Sequence, residues 1–350
     1  MIVGRLHPYL DVLSRNGSLT RSQAADAMHI MLGGDAEPEQ LAAFLLGLRA
    51  RGESVDELVG FTEAMRTHAT RVDADPDAID LCGTGGDSSG TFNISTAASL
   101  VAAGAGATVA KHGNRSVSSK AGSADVLEAL GVAVDLAKEG AEYCLDKAGI
   151  AFLFAPYFHP AMRFVMPVRR ALGVRTLFNI LGPLCNPAGV RRQLVGAFDL
   201  STAKTMASIL HTLDAEQVVA VHAEDGLDEI SLTSASAIFD FDRRERLASG
   251  GIPDGRTIRP EDHGMGRSTA DALRGGTAEQ NAAIIVGILA GDESPARDVV
   301  VLNAGYALST TGRYASVDEA IEAAKESIDS GKARLKLRAL IEASNRAPKA

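Results

Sequence analysis

A glycine-rich segment that follows a short apolar strand has the residue types that bind phosphate. Residues 80–87 read Asp-Leu-Cys-Gly-Thr-Gly-Gly-Asp. Such a loop exposes backbone N–H groups to phosphate oxygens. It is not a dinucleotide-binding fingerprint, because Ser88 stands where the last glycine would be, and it lacks the Gly-Lys-Ser/Thr ending of a P-loop. The loop alone leaves two interpretations open, an anion site and a tight turn.

Hydroxyl and amide side chains follow at the predicted start of a helix. Residues 91–96 read Thr-Phe-Asn-Ile-Ser-Thr, and helix N-termini attract anions. Ser95 is placed where a side-chain oxygen can reach a magnesium ion that bridges phosphates. In the alternative interpretation, Ser95 and Asn93 only cap the helix, and both roles can hold together.

A run of cationic and hydroxyl side chains comes after the next predicted strand, which ends at Ala110. Residues 111–123 read Lys-His-Gly-Asn-Arg-Ser-Val-Ser-Ser-Lys-Ala-Gly-Ser. Lys111 and Arg115 supply positive charge, and the glycines permit close backbone approach. Neutral hydrogen-bond donors come from Ser118, Ser119 and Ser123. The composition predicts a loop that wraps a pyrophosphate, with a solvated loop as the alternative.

Two adjacent carboxylates, Asp228 and Glu229, follow the predicted strand 217–221 and a turn at residues 225–226. They therefore lie at the carboxyl end of a strand, where the sites of α/β proteins collect. Magnesium ions, which prefer oxygen ligands, would relieve the repulsion between the two carboxylates. The alternative is a pair of solvated surface acids, which these two residues considered alone would favour.

The first seventy residues have the start signals of helices. Capping boxes are predicted at residues 20–23 and 54–57, and Pro38 suits a first helical turn. The polar stretch 73–76 ends in a proline and is typical of a linker. We expect a small helical N-terminal domain.

Strands and helices alternate along the rest of the chain. Amphipathic stretches of helical length separate short apolar runs at residues 78–81, 108–110, 149–154, 193–197 and 217–221. This alternation predicts a large α/β domain with a central, mostly parallel sheet. Residues 316–345 are typical of two charged amphipathic helices that pack as a cap on this domain.

The composition is that of an ordinary globular protein. Of the 350 residues, 46% are hydrophobic and 23% are charged, which argues against long disordered tracts and membrane spans. The chain has 35 basic and 44 acidic residues and a net charge of -9. This balance disfavours a protein that coats nucleic acid, but it leaves room for a local basic pocket that binds small anions.

Cysteine usage and the N-terminal residues indicate a cytoplasmic protein. Cys82, Cys144 and Cys185 are an odd number, lie far apart and form no Cys-x-x-Cys pair. A reducing compartment fits this pattern best. The N-terminal residues reach Arg5 and Asp11 before the apolar core of a signal peptide can form.

The motifs, taken together and in their order, resemble those of the anthranilate phosphoribosyltransferase family. The resemblance covers nearly the whole chain, and Cys82 and Ser116 stand at positions where that family varies. The matching segments are residues 83–87, 93–96, 111–119, 122–131, 159–162, 167–170, 172–184, 225–229 and 275–282.

The resemblance implies transfer of a phosphoribosyl group from 5-phosphoribosyl 1-pyrophosphate to the amine of anthranilate, with release of pyrophosphate, as the second step of tryptophan biosynthesis. It also implies two Mg2+ ions per subunit, with Glu229 in contact with both, Ser95 with one and Asp228 with the other. Two donor-rich loops and hard oxygen ligands suit such a substrate. The amine is expected to attack directly, so no general base is assigned.

The resemblance also assigns the substrate-binding residues. The set for phosphoribosyl pyrophosphate is Gly83, Gly86, Asp87, Thr91, Asn93, Ile94, Ser95, Thr96, Lys111, His112, Gly113, Asn114, Arg115, Ser116, Val117, Ser118, Ser119 and Ser123. The set for anthranilate is Gly83, His112, Asn114, Arg169 and Gly182. The match of residues 167–169 to the family motif selects Arg169, whose guanidinium would hold the carboxylate, over three competing arginines, Arg163, Arg170 and Arg175. His112 could equally be an ordinary loop histidine.

The expected organisation follows the same family. Residues 1–72 form a helical domain, joined in space by part of 160–185, and residues 73–350 form an α/β domain that binds phosphoribosyl pyrophosphate. The substrates lie in the cleft between the two. We expect a homodimer joined through the helical domain, with neither nucleic acid nor membrane as a partner.

Two other classes of protein are compatible with this architecture. Pyrimidine nucleoside phosphorylases share it and use a similar lysine- and serine-bearing loop, but they use phosphate and have no need of an acidic metal pair. A non-catalytic relative that binds nucleic acid is disfavoured by the net charge of -9 and by the intact motifs.

Overall fold

The computed structural model describes residues 4–87, 89–116, 120–243 and 254–350. Its N-terminal part is helical, with helices α1 (His7–Ser14), α2 (Arg21–Gly33), α3 (Pro38–Arg51) and α4 (Val55–Thr67). Both predicted capping boxes are present, at Thr20 before α2 and at Ser54 before α4. Pro38 lies in the first turn of α3. The predicted helix starts in this region are therefore confirmed.

Strands and helices alternate after residue 78. The first half contains β1 (Ile79–Gly83), α5 (Ile94–Gly104), β2 (Val109–Gly113), α6 (Ser123–Ala129), α7 (Lys138–Ala148), β3 (Ile150–Phe154), α8 (Ala155–Phe158), α9 (Met166–Leu172) and α10 (Phe178–Leu184). The second half contains β4 (Arg192–Gly196), α11 (Leu200–Thr212), β5 (Gln217–Ala223), β6 (Ser236–Asp242), β7 (Arg256–Ile258), α12 (Ala278–Ala290), α13 (Pro295–Ser309), α14 (Val317–Asp329) and α15 (Lys332–Arg346). No helix in the described part of the chain combines the length and the apolar character needed to cross a membrane.

The strands of the described chain form one sheet in the order β3-β2-β1-β4-β5-β6-β7. The five strands from β3 to β5 are parallel, and β6 and β7 are antiparallel additions at one edge. This arrangement confirms the predicted α/β class with a mostly parallel sheet. The strand order reverses between β1 and β4, and the crevice beyond their carboxyl ends is where such sheets bind ligands.

Helix α5 lies at the centre of the α/β region. Every residue of this alanine-rich helix is buried except Ser95, in its first turn. A Cβ atom on Gly104, at the other end, would lie 2.6 Å from the backbone nitrogen of Ala333 in α15. This close packing fixes α5 along its length and leaves its N-terminal turn facing the crevice.

A second apolar cluster connects the N-terminal helices with a later part of the chain. Phe44 and Phe61 from the helical region share it with Val168, Phe178 and other buried residues of α9 and α10. The joining of part of 160–185 to the helical domain stays a prediction. The same cluster also includes α11 and one face of the sheet, so the boundary between residues 72 and 73 stays a prediction.

The strands β1 and β2 run further than the sequence indicated. Apolar runs predicted strands ending at Leu81 and Ala110, whereas β1 ends at Gly83 and β2 at Gly113. Lys111 and His112 therefore belong to a buried strand, and the prediction that they lie in a loop was wrong. Polar side chains at a sheet's carboxyl edge continue the ladder because their backbone groups pair like any others.

Candidate active site

The acidic pair lies directly over the point where the strand order reverses. Gly83 of β1 and Gly196 of β4 are neighbours in register. A Cβ atom on Gly83 would lie 2.4 Å from Asp228 Oδ2, and one on Gly196 would lie 1.6 Å from the Asp228 carbonyl oxygen. Only glycine at these two positions allows the Asp228 backbone to approach the sheet so closely.

Asp228 and Glu229 each accept a hydrogen bond from one of the predicted anion-binding segments. The backbone N–H of Gly85 donates to Asp228 Oδ2 at 2.6 Å. The backbone N–H of Ser95, in the first turn of α5, donates to Glu229 Oε1 at 3.1 Å. The acidic pair thus meets, within hydrogen-bonding distance, two segments that lie more than 130 positions earlier in the chain.

The environment of these two carboxyl groups disfavours their charged forms. Burial raises the pKa of Asp228, and the negative charge of Asp87 raises it further. Burial also raises the pKa of Glu229, with Asp228 as the second cause. The three acids together carry more negative charge than the site compensates, which is the condition that a divalent cation relieves.

The donor set at this position fits magnesium. It offers two carboxylates and the Ser95 hydroxyl, all hard oxygen ligands. The described residues contain no group of three His, Cys, Asp or Glu side chains that would hold a metal by themselves. A cation bound here would complete its shell with water and substrate oxygens, as protein-bound Mg2+ usually does.

Lys111 is a buried cation beneath this crevice. Its side chain, with a residue exposure of 3%, projects from β2. Its Nζ atom donates to the Leu81 carbonyl oxygen at 2.5 Å and to Ser95 Oγ at 3.3 Å. The positive charge of Lys111 partly offsets the pKa rise of Glu229. Lys111 therefore stabilises the negative charge of the site from below.

Two neutral histidines lie side by side at the end of β2. The rings of His112 and His159 have centroids 5.1 Å apart. Burial lowers the pKa of His112 well below its usual value, with His159 as the second cause. Burial also lowers the pKa of His159 to about 4. A neutral imidazole at His112 offers a polar edge to a ligand without adding charge.

The start of α5 is connected to the segment that follows β2. Asn93 Nδ2 donates to the Ala121 carbonyl oxygen at 3.2 Å, and Asn93 Oδ1 accepts from Asn281 Nδ2 at 2.9 Å. Thr96 Oγ1 donates to Ser123 Oγ at 3.2 Å. The two predicted phosphate-binding segments are thus one hydrogen-bonded unit.

Arg115 is paired within its own segment. Its guanidinium lies 2.7 Å from Asp125 and 2.6 Å from Glu128, and its backbone N–H donates to Asn114 Oδ1 at 2.7 Å. Ser116 N donates to Asp125 Oδ2 at 3.3 Å. Asp125 and Glu128 therefore neutralise the positive charge of Arg115, which we predicted would bind a pyrophosphate.

The remaining predicted phosphate-site residues have simple environments. Gly86 has a φ of +73°, and its carbonyl oxygen accepts a hydrogen bond from Arg175. Thr91 Oγ1 lies 3.2 Å from Ser89 Oγ. Ile94 is buried, and Gly113 packs against Phe152. Val117, Ser118 and Ser119 lie outside the described residues.

Arg169 projects from α9 without an acidic partner in the parts of the chain that the structure describes. Its guanidinium carbon lies 5.1 Å from the centre of the Phe178 ring in α10. Burial lowers the pKa of Arg169. For Gly182, one turn after Phe178, a Cβ would meet no atom within 4 Å from other described parts of the chain, and its backbone lies within hydrogen-bonding reach of His112. Arg169 and His112 thus each lie against α10, at Phe178 and at Gly182 respectively.

The competing arginines have other neighbours. Arg163 lies over the ring of Phe164, with its guanidinium carbon 4.5 Å from the ring centre. Arg175 lies over Phe198 at 4.2 Å and donates to the Gly86 carbonyl oxygen. These contacts explain both side chains without a carboxylate ligand.

Two buried polar residues beside the site were assigned no role from the sequence. Asp80 accepts from the His112 backbone N–H at 3.1 Å and from Asn186 Nδ2 at 2.7 Å. Asn186 Nδ2 also donates to the Ala110 carbonyl oxygen at 2.8 Å. An aspartate inside an apolar strand run was the available signal for Asp80. Asn186 has no comparable signal.

Comparisons with known proteins agree with this arrangement. Residues 75–334 match the model of the family described as "Glycosyl transferase family, a/b domain". Residues 7–69 match the model of the family described as "Glycosyl transferase family, helical bundle domain". Anthranilate phosphoribosyltransferase from Salinibacter ruber is 58% identical over 344 residues, covering 98% of this chain and 99% of that protein. The enzyme of the same name from Azorhizobium caulinodans is 47% identical over 344 residues, covering 97% of each.

Solved structures give the same result. The crystal structure of anthranilate phosphoribosyltransferase from Thermus thermophilus has a TM-score of 0.89 and 38% identity, covering 96% of this chain and 99% of that chain. The Saccharomyces cerevisiae enzyme, solved in complex with PRPP and Mg, has a TM-score of 0.86 and 25% identity, covering 97% of this chain and 98% of that chain.

Proposed function

The chain belongs to the anthranilate phosphoribosyltransferase family, and from this premise we propose how its residues divide the work of the reaction. The enzyme transfers the phosphoribosyl group of 5-phosphoribosyl 1-pyrophosphate to the amine of anthranilate and releases pyrophosphate, the second step of tryptophan biosynthesis. One observation carries the assignment of roles: the Asp228–Glu229 pair is hydrogen-bonded to both the Gly85 loop and the start of α5.

We propose that Asp228, Glu229 and Ser95 hold two Mg2+ ions together with the pyrophosphate of the substrate. Burial, and after it the neighbouring acids, raise the pKa of both carboxyl groups, and a bound cation would offset both effects. The yeast relative was solved with both PRPP and Mg. Bound magnesium supplies positive charge that stabilises the departing pyrophosphate. Lys111, whose Nζ atom lies 3.3 Å from Ser95 Oγ, would add a second positive charge beside the pyrophosphate.

The phosphoribosyl pyrophosphate is proposed to lie along the unit formed by the β1 loop, the start of α5 and the segment after β2. Its backbone donors are proposed to come from the glycine loop and the first turn of α5, because the first N–H groups of a helix have no intrahelical partner. The proposed contacts are Gly83, Gly86, Asp87, Thr91, Asn93, Ile94, Ser95, Thr96, residues 111–116 and Ser123, with residues 117–119 from outside the described chain.

Anthranilate is proposed to bind in the region bordered by Arg169, His112 and Gly182. A partly buried guanidinium without an acidic partner suits a carboxylate, because a bidentate pair restores the interactions that burial removed. The neutral His112 ring and the open space at Gly182 leave room for the aromatic ring. Gly83 and Asn114 complete the proposed set.

The proposed mechanism is direct attack of the anthranilate amine on C1 of the ribose, in which the C1–N bond forms, the C1–O bond to pyrophosphate breaks, and one amine proton passes to water. The aromatic amine is neutral at physiological pH, so it needs no base to become nucleophilic. As the reaction proceeds, positive charge develops at C1 and negative charge develops on the pyrophosphate. Lys111 and the proposed Mg2+ ions would stabilise the negative charge on the pyrophosphate. Positioning and charge stabilisation then account for the rate, without a catalytic acid or base from the chain.

The direct test follows the fluorescence of anthranilate in a mixture of the protein, phosphoribosyl pyrophosphate and Mg2+. We expect a loss of signal that needs all three components, with pyrophosphate released in equal amount. Pyrophosphate release with another acceptor while anthranilate persists would remove the Arg169 assignment and keep the metal site. No turnover with any acceptor would contradict the proposed division of roles.

We further propose a cytoplasmic homodimer joined through the helical domain. Leu46 on α3 has an exposure of 49%, and Val55 on α4 has one of 37%, so apolar surface is available there. All three cysteines are unpaired in the described chain, which agrees with a reducing compartment. Light scattering behind a sizing column should give twice the 36.5 kDa chain mass, and Leu46→Glu should shift the protein towards the monomer.

A further inference from the structure

An asparagine on a buried helix makes two hydrogen bonds to the backbone next to the acidic pair. Asn303 lies in α13 with no solvent exposure. Its Nδ2 atom donates to the Ile230 carbonyl oxygen at 2.9 Å, and its Oδ1 atom accepts from the Ile230 N–H at 2.9 Å. Ile230 directly follows Glu229. One side chain therefore holds both backbone polar groups of the residue next to the proposed metal ligands.

This pattern is more specific than the packing of α13 requires. The neighbours Leu302 and Ala304 are fully buried apolar residues, and an apolar residue at position 303 would continue the core. A buried amide is tolerated when its hydrogen bonds are made, and Asn303 makes a third one, from Nδ2 to the Val299 carbonyl oxygen at 2.9 Å. Holding one residue through its N–H and its C=O fixes the orientation of that peptide segment.

The segment 228–231 also makes contacts with strands of the sheet, which are separate from its contact with α13. The Asp228 carbonyl rests on Gly196 of β4, and the Ser231 N–H donates to Ser236 Oγ at 3.0 Å. Asn303 alone among these contacts reaches the segment from the helix layer. Without Asn303, both backbone polar groups of Ile230 would lose their hydrogen-bond partner, and the peptide that orients the Glu229 side chain would be held less firmly.

We propose that Asn303 is a positioning residue for the Asp228–Glu229 carboxylate pair, acting through the backbone of Ile230. The inference rests on the proposed role of this pair in binding Mg2+ with phosphoribosyl pyrophosphate. Asn303 touches neither the substrate nor the ion. Its effect is expected in the orientation of the ligands and so in the concentration of Mg2+ that the substrate needs.

The variant for the test is Asn303→Ala, with Asn303→Ser as a milder change if the first does not fold. A serine hydroxyl can bond to the carbonyl of residue 299 in its own helix, but it is too short to reproduce the bidentate grip on residue 230. Leu302→Ala is the matched control, since it removes a buried side chain from the same helix and leaves the Asn303 hydrogen bonds to Ile230 in place. Glu229→Ala tests the underlying metal role.

Two measurements are made on each protein. Hydrogen exchange of the peptide spanning residues 228–232 is followed in the full chain without metal or substrate. Calorimetric titration with phosphoribosyl pyrophosphate at a series of Mg2+ concentrations gives the concentration for half-maximal binding. For Asn303→Ala we expect faster exchange in that peptide and about a tenfold increase in the Mg2+ requirement, as for losses of other outer partners of metal ligands.

The outcomes separate this inference from the proposed function. An unchanged Mg2+ requirement in the Asn303 variants, with a large increase in Glu229→Ala, would overturn the role of Asn303 alone. An equal increase in Leu302→Ala at matched stability would also overturn it, because general loosening would then be the cause. An unchanged requirement in Glu229→Ala would overturn the metal role itself.

Discussion

The charged side chains of the site differ in whether a neighbouring residue of opposite charge neutralises them. Glu229 has excess negative charge beside it, and burial raises its pKa. Arg169 is the opposite case, a partly buried cation with no carboxylate partner in the described residues. Arg115 is already balanced by two acids of α6. We therefore expect substitution of Glu229 or Arg169 to weaken the binding or turnover of the substrates.

Glu229→Ala should lower kcat/KM by about a hundredfold or more, because a metal ligand and its charge are lost together. Raising the Mg2+ concentration should restore the activity only in part. Steady-state rates over a range of Mg2+ concentrations measure this. The control is Glu224→Ala, which removes an exposed acid before the same turn. A Glu229→Ala enzyme of near-normal rate would remove the residue from the site.

Arg169→Ala should act mainly on anthranilate. The loss of a charge-assisted hydrogen bond is worth roughly 1.5–3 kcal/mol, so the KM for anthranilate should rise about tenfold to a hundredfold. The KM for phosphoribosyl pyrophosphate should change little. Arg170→Ala, at the exposed neighbouring position, is the control. An unchanged anthranilate KM in Arg169→Ala would show that the carboxylate binds elsewhere.

Secondary-structure elements were the level at which the sequence was most informative. The capping signals at Thr20 and Ser54 and the apolar runs after residue 78 correctly predicted helix starts, the five parallel strands and the class, because these signals are local. The antiparallel strands β6 and β7 were not predicted. The extension of β2 through Lys111 and His112 was not predictable, since polar residues interrupt the apolar run while the backbone pairing continues. The sequence also indicated the glycine loop and the acidic pair, but not that Gly85 and Asp228 touch.

The glycine at position 196 shows how one element controls another. Gly196→Ala would place a methyl group against the Asp228 carbonyl, with backbone on both sides of the contact. Overpacking of this kind typically costs about 1–3 kcal/mol, so the urea midpoint should fall. Activity should fall further than stability alone explains, because the acidic pair is displaced.

The control for this change is Gly266→Ala, where a Cβ meets no atom within 4 Å. Denaturation curves and rates for both variants, measured at a temperature where both are folded, separate the two effects. A Gly196→Ala protein with normal stability and rate would show that the Asp228 backbone can move away from the sheet without consequence.

Over the whole molecule, the two buried histidines make folding sensitive to acid. The pKa of His159 is lowered to about 4 in the folded chain, against about 6.5 for an unfolded histidine. The unfolded chain therefore binds more protons between these values, and the free energy of unfolding falls as the pH drops from about 6.5 towards 4. At pH 5 the loss from His159 alone is on the order of 2 kcal/mol.

His159→Asn should remove part of this acid sensitivity. The difference in urea midpoint between pH 7 and pH 5 should be smaller in the variant than in the parent protein. His7→Asn, which changes an exposed histidine of α1, should leave the difference as it is. Equal acid sensitivity in all three proteins would place the titrating groups elsewhere.

The contact between the acidic pair and the anion-binding segments has a consequence for synthesis. Gly85 and Asp228 are 143 positions apart, Ser95 and Glu229 are 134 apart, and Asn303 comes later still. Because the N-terminal part of a chain is synthesised first, the glycine loop and the start of α5 exist long before the residues that complete the site, and all of these pieces can meet only after synthesis has passed Asn303. A chain cut before α13 lacks both hydrogen bonds from Asn303 to Ile230, and we expect it to hold the acidic pair less rigidly.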